Sequence, residues 1–468
     1  MDQAVLDAED VVLFINAAST CTGQSEHYGD RGEQQVPLGF LHRYMFVNYR
    51  RLYGLCLAAG INHFNQTAIV HRLLASGAPQ DPSHRHEEGE LIAGALSTLP
   101  PQRVYRLFAN LRRDGVNNRR TRATVRRWLS TRRDLTFDAV KYRGHLRSAL
   151  RHTHASLDPA LHEFLFEGPD SRRAWEQPLL DAFRRARYED RALYELPFTI
   201  AEGLAASKGI DRKRFLEKIG PRLTQGERAR LERHATGIKA RLDPLELARM
   251  PLDRLCIYAL AQKVSDRDGS LDGALSAAAR RAWKHAPLSL GRVHAVLDDS
   301  YSSRSGLQKR NRALAVALGC GRMLREAAGS YRSFWTSGAE GDLHVRARGQ
   351  TDLATPLLSA LRGQPDLVVI VSDGFENDPP GAAGEVLRLF REHVDPDGHT
   401  RVVHLNPVFD AHSFMPRPLG PSVPTVGIRS AEELPFKLGF AGLALGDTRV
   451  GELEAWLRDR ARPWLEGA

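Results

Sequence analysis

The sequence predicts two fold classes in tandem, an all-α N-terminal part followed by a doubly wound α/β part. Three observations carry this. Up to residue 286, segment after segment spaces its apolar residues three and four apart, with short Gly, Pro or Asp breaks between them. From 287 onward, short apolar runs alternate with helical patterns, as βαβ units require. Charge divides at the same place: residues 291–468 hold 21 Lys/Arg against 22 Asp/Glu, while residues 1–290 carry a net +11.

In the first part, helices are expected over 46–59, 66–75, 88–96, 103–113, 121–131, 137–151, 174–188, 211–219, 225–242, 252–264 and 271–285. Many helices with short joints predict paired, HEAT-like repeats, although no fixed sequence period is present. Residues 1–40 stand apart as an N-terminal extension without an assigned fold, residues 41–286 form the helical-repeat domain, and residues 287–468 form the α/β domain. In the last of these, Tyr331–Trp335, Arg401–Leu405 and Thr425–Ile428 read as strands. Helices are expected over 307–328, 384–393 and 450–464.

Two more strands of that domain end in chemistry. The run Arg292–Leu297 ends in Asp298, Ser300 and Ser302, and side chains at i, i+2 and i+4 of an extended chain share one side. One carboxylate and two hydroxyls can thus converge on a hard cation. Thr351 opens a helical pattern about fifty residues on, and the apolar run Asp366–Val371 leads to Ser372, Asp373 and Gly374. In open parallel sheets ligand sites form outside the carboxyl ends of the strands, where all three loops would meet. Asp298, Ser300, Ser302, Thr351 and Asp373 together resemble the metal-ion-dependent adhesion site of von Willebrand factor A domains. That resemblance implies Mg²⁺ or another divalent cation, a hard ion that suits oxygen donors and retained waters. The plainer alternative is a set of Ser/Thr/Asp turns that cap helices and bind nothing.

The positive charge is concentrated. Residues 101–150 hold 14 basic and 3 acidic residues, which accounts for the whole excess of the first part. Arg119, Arg120, Arg126, Arg127, Lys141, Arg143 and Arg147 lie within it, and Arg151 follows. A clustered basic face is the electrostatic footprint of nucleic-acid binding; the alternative is a solvated arginine-rich surface. Val125–Ser130, Ala139–Arg143 and Leu150–His154, placed upstream of an A-type domain, resemble the layout of the Ro ribonucleoprotein, or TROVE, family. Met250–Ala261 and Leu275–Trp283 resemble that family's last helices. The resemblance implies a helical ring closed by the A domain, binding small structured non-coding (Y-like) RNA outside and single-stranded RNA ends through a basic hole. By motif position, Lys141, Arg143 and a histidine would contact RNA, with Arg147 and Arg151 nearby. The spacing from Lys141 is shorter than in the family, which leaves His152 and His154 as alternatives.

Other classes find no support. No phosphate-binding loop, nucleophile elbow or His-Glu-x-x-His motif occurs, so no enzyme is expected. His84-Arg-His86-Glu-Glu fits helix capping better than zinc, and Asp395-Pro-Asp397-Gly-His399 is a turn too short for a calcium loop. Cys21, Cys56, Cys256 and Cys320 are scattered, as buried reduced thiols would be. No apolar run approaches a membrane span and the acidic start is unlike a secretory signal, so a cytoplasmic monomer is expected. The competing functional class is a protein-interaction adaptor, its metal capturing a partner's carboxylate and its helices serving as the docking surface.

Overall fold

The computed structural model describes residues 2–22, 31–224, 227, 247, 249–284, 290–304, 311–410, 415–444 and 448–467. Contacts gather the chain into a sheet unit, residues 1–66 and 243–463, and a helical unit, residues 67–242 and 464–468. This grouping cuts across the linear boundaries at 40 and 286.

The sheet unit is built on five parallel strands in the order β2-β1-β3-β4-β5. They are β1 Leu290–Leu297, β2 Ala328–Trp335, β3 Leu367–Val371, β4 Arg401–Asn406 and β5 Thr425–Gly427. All five expected strands are present. Every residue of β3 is buried, which is why it reads as an unbroken apolar run rather than an alternation. The chain leaves β1 for β2 on one side and then crosses to β3 on the other, so the strand order reverses between β1 and β3. That switch point is where a ligand crevice opens.

On one face, Val296, Val368, Ile370 and Val402 pack against Leu353, Leu357 and Leu361 and against Ala383, Leu387 and Phe390. A second helix, Arg312–Ala327, is buried from Ala313 to Leu324, so it is covered on all sides rather than on one stripe. Glycines allow this: a Cβ on Gly319 would lie 2.5 Å from Ala431 Cβ, and one on Gly321 would lie 2.8 Å from Leu297 Cδ1. The expected helix over 307–328 is described only from 311, and that over 225–242 lies almost wholly outside the described residues.

The first helix, α1 (Gln3–Thr20), belongs to this unit. Asn16 uses both ends of its amide on the edge strand: Nδ2 donates to the Thr425 carbonyl at 3.1 Å, and Oδ1 accepts from the Gly427 amide at 2.9 Å. The fully buried Lys437 ammonium donates to Ser19 Oγ at 2.7 Å, and burial lowers its pKa to about 8. Much of the N-terminal extension is therefore a sheet-covering helix. The helix expected over 46–59 is divided between α2 (Arg31–Asn48) and α3 (Arg50–Leu55). Tyr49 sits at the break, its hydroxyl donating to Asp7 and Asp10 at 2.9 Å each.

The helical unit follows from α4 (His63–Ala75) through α5 Pro82–Thr98, α6 Pro101–Arg113, α7 Arg119–Ser130, α8 Leu135–Lys141, α9 Arg143–Thr153, α10 Pro159–Phe166, α11 Pro178–Ala186, α12 Asp190–Leu193, α13 Phe198–Ser207 and α14 Arg212–Ile219. Asp81 caps α5 by accepting from the His84 amide, so the His84 segment is a helix start, as expected. The helix expected over 137–151 is instead two helices broken at Tyr142 (φ −115°, ψ 26°). The break sets the Tyr142 ring 5.2 Å from that of Tyr105, a contact no local pattern encodes. Helices α6 and α7 pack on α9, and α10 and α11 on α8. The four cysteines are buried thiols.

Candidate metal site and basic helical face

At the sheet edge, backbone hydrogen bonds assemble the three loops that the motif spans. The Asp298 amide donates to the Val371 carbonyl at 3.0 Å, which extends the β1–β3 ladder by one step and sets Asp298 beside the end of β3. The Tyr301 amide donates to the Gly349 carbonyl at 3.1 Å, tying the serine loop to the Thr351 loop. The Asn377 and Asp378 amides both donate to the Thr351 carbonyl at 3.3 Å, which joins that loop to the one after β3. Asp298, Ser300, Thr351 and Asp373 are all buried and Ser302 is half-buried.

The side chains are held short of the solvent. Ser300 Oγ lies 3.1 Å from Ser302 Oγ, and the Ser300 amide donates to Asp298 Oδ1 at 2.8 Å. Burial and the nearby Asp373 charge raise the Asp298 carboxyl well above its ordinary range. Asp298 is thus confined where it does not ionise cheaply, and a dication beside it and Asp373 would remove that cost. Among the described residues no three His, Cys, Asp or Glu side chains gather in a metal-holding group. A cation here would depend on Ser300, Ser302, Thr351 and water beside Asp298 and Asp373, a donor set that fits Mg²⁺ and not zinc.

Several positioning residues escaped the motif. Asp299 is fully buried and accepts from Thr336 Oγ1 at 3.0 Å, from the Ser337 amide at 2.8 Å and from Ser337 Oγ at 2.6 Å. Asn377 Oδ1 accepts from the Thr351 amide at 2.9 Å, and Asn406 Nδ2 donates to the Asp373 carbonyl at 2.9 Å. Glu376 accepts from the Leu353 and Ala354 amides at one oxygen and from the Ala383 amide at the other, joining two helix starts. The only sequence signal for these is polarity in a loop beside a buried strand. They act on the ligands through the backbone.

In the helical unit the ten predicted RNA-contacting residues divide by what they already hold. Arg120 pairs with Glu88 at 2.6 Å, and Arg127 makes a two-pronged pair with Glu90 at 2.7 and 2.8 Å. Arg126 Nε donates to the Thr153 carbonyl at 3.0 Å, satisfying the last turn of α9. Arg119 is exposed. On α9, Arg143, Arg147 and Arg151 recur every fourth residue and share one face. Lys141 lies 5.2 Å over the Phe137 ring and 5.5 Å over Tyr142, Arg143 lies 5.7 Å over Phe164, and Arg151 lies 5.3 Å over Phe166.

Arg143 is the most constrained of these. Burial first, then Arg147 and Arg187, lower its pKa, and its buried Nε has no hydrogen-bond partner. The histidines separate as well. His152 is buried, and burial together with the Arg112 charge lowers its pKa. His154 is exposed in a left-handed conformation (φ 51°, ψ 39°) that ends α9.

No protein-family model matches this chain, and no curated protein matches it. Among solved structures, the chain is similar to the crystal structure of the Ro (RSR) protein of Deinococcus radiodurans, with 14% sequence identity and a TM-score of 0.47 over 94% of this chain and 100% of that one.

Proposed function

We propose that this chain is an RNA-binding protein of the Ro ribonucleoprotein type, binding small structured, Y-like RNA through the α8–α9 face and single-stranded RNA ends as a second ligand. The observation that carries this reading is Arg143, a half-buried guanidinium set beside two like charges with its Nε unsatisfied. Arg187 is paired with Asp170, which also acts on Arg143, so a phosphate would chiefly supply the acceptor that Nε lacks and offset the Arg147 charge. The aromatic rings under Lys141, Arg143 and Arg151 hold those cations in place for a backbone read by shape. The test is to sequence RNA that co-purifies with the full chain. Enrichment of one or a few small structured species is expected; protein free of RNA, or carrying only bulk RNA fragments, would refute the proposal.

The sheet edge favours a second role, capture of a partner's carboxylate on Mg²⁺. Asp298 and Asp373 would hold the ion, directly or through water, with Ser300, Ser302 and Thr351. Such an ion would act as a Lewis acid toward a partner's carboxylate, and the buried loops would keep Asp298, Ser300, Ser302, Thr351 and Asp373 in place to hold it. In EDTA, Asp298→Asn should melt at or above the wild-type temperature, because it relieves the repulsion with Asp373. Millimolar Mg²⁺ should raise wild type by about 2–3 kcal/mol at saturation, as a ligand at a hundred times its Kd does, and leave Asp298→Asn unmoved. Differential scanning calorimetry decides: a wild type indifferent to Mg²⁺ sinks the site. For the partner, a Mg²⁺-dependent pull-down lost in Asp298→Ala is expected.

A further inference from the structure

We infer that the sheet unit carries a pocket for a phosphoryl-bearing ligand of nucleotide size, formed by Lys263, Arg267, Arg304 and Arg346 around the start of the helix Arg312–Ala327. The cavity measures about 600 Å³, within the range of small-molecule sites. Its described lining contains these four cations and no Asp or Glu. Arg304, Arg346 and Lys263 form no ion pair among the described residues.

Arg267 is the anchor. Its Nη1 donates to the Leu343 and Val345 carbonyls at 3.0 and 2.8 Å, and Nη2 donates to the Gln262 carbonyl at 3.3 Å. Neutral carbonyls hold this guanidinium in place without cancelling its charge, and its buried Nε has no partner. Burial and Arg346 both lower its pKa, so the two guanidinium groups sit close together without a carboxylate between them.

The helix adds to the same field. Asn311 and Leu314 line the cavity, so the positive end of a sixteen-residue helix dipole forms part of its wall. Asn311 adopts a left-handed conformation (φ 60°, ψ 18°), and its side chain makes no capping bond. Four cations and a helix start exceed what one carboxylate neutralises; a di- or triphosphate matches them. The aliphatic Leu314 and Val345 leave room for an uncharged moiety beside it. None of the five candidate Mg²⁺ donors lines the cavity, so the inference does not rest on the metal reading.

Isothermal titration of the full chain in EDTA tests this with ADP, inorganic pyrophosphate and adenosine. ADP and pyrophosphate should bind and adenosine should not. Arg304→Glu/Arg346→Glu should weaken ADP by at least about tenfold, the scale of one or two lost charge-assisted bonds. Arg106→Glu/Arg173→Glu, an equal charge change at exposed residues that do not line the pocket, should leave ADP binding within about twofold. A short RNA with a 5′-phosphate that displaces ADP, when its unphosphorylated form does not, would identify an RNA terminus as the source of the phosphate; failure to displace would identify a free small molecule. No ADP binding, equal binding of adenosine, or equal losses in the two double variants would overturn the pocket.

Discussion

Asp138→Ala should cost the helical unit about 3–5 kcal/mol, the usual consequence of removing one partner from a buried ion pair. Asp138 is fully buried on α8 and accepts from three donors: Arg132 Nε at 2.7 Å, Arg132 Nη2 at 3.1 Å and the Tyr105 hydroxyl at 3.0 Å. Its carboxylate raises the pKa of Arg132 through the hydrogen bond, and that of Tyr105 together with burial. Arg132 also lies 5.1 Å over the Trp128 ring, whose Nε1 donates to the Leu96 carbonyl at 3.1 Å. One carboxylate thus links α5, α6, α7 and α8. Without it, a buried phenol and a partly buried guanidinium lose their shared acceptor. A urea titration followed by the fluorescence of Trp128 in a background lacking the other tryptophans would report the loss as a lower midpoint at unchanged slope. Arg132→Met/Asp138→Leu should recover most of it, because the apolar pair leaves no orphaned charge. A single alanine variant as stable as wild type would mean the pair only balances its own desolvation.

The same triad shows why charge counts over-read the basic stretch. Composition registers Arg120, Arg127 and Arg132 as surplus, yet each is committed to Glu88, Glu90 or Asp138. Two of those carboxylates lie more than thirty residues away in sequence, and all three are buried. Only folding shows which arginines are already neutralised. The metal-type motif was legible for the opposite reason: Asp298 and Asp373 follow closely on two buried strands, and although a 3-10 turn over Tyr301–Arg304 replaces the extended alternation expected for Ser300 and Ser302, their hydroxyls still meet at 3.1 Å. What lay beyond reach was long-range support. Asn377 orients Thr351 from 26 residues away, and Asn16 braces β5 from more than 400. The α1 sequence gave little warning, because its second half is buried on every side and lacks an amphipathic stripe. Tyr142 broke an otherwise continuous helical pattern because packing on Tyr105 outweighed local propensity.

The division among the arginines makes the RNA reading sharply testable. Lys141→Ala/Arg143→Ala/Arg147→Ala should weaken binding to the co-purifying RNA by about a hundredfold or more at physiological salt, three phosphate contacts at roughly 1–1.5 kcal/mol each. The salt slope should fall by about two to three, one for each charge removed. Stability should fall only by the ring contacts of Lys141 and Arg143, because none of the three is ion-paired among the described residues. Arg120→Gln/Arg127→Gln should do the reverse. It removes the arginine partners of Glu88 and Glu90, should lower folding stability, and leaves the salt slope of the folded fraction near that of wild type. The histidines offer a finer discrimination. His154→Ala removes an exposed ring at the end of α9 and should weaken RNA without destabilising the fold, whereas His152→Ala opens a buried site and should destabilise it. Filter-binding isotherms over a range of KCl, paired with thermal melts, separate all four variants. If the triple variant binds RNA as tightly as wild type with an unchanged salt slope, the α8–α9 face is a solvated surface, and Arg143 has some other partner.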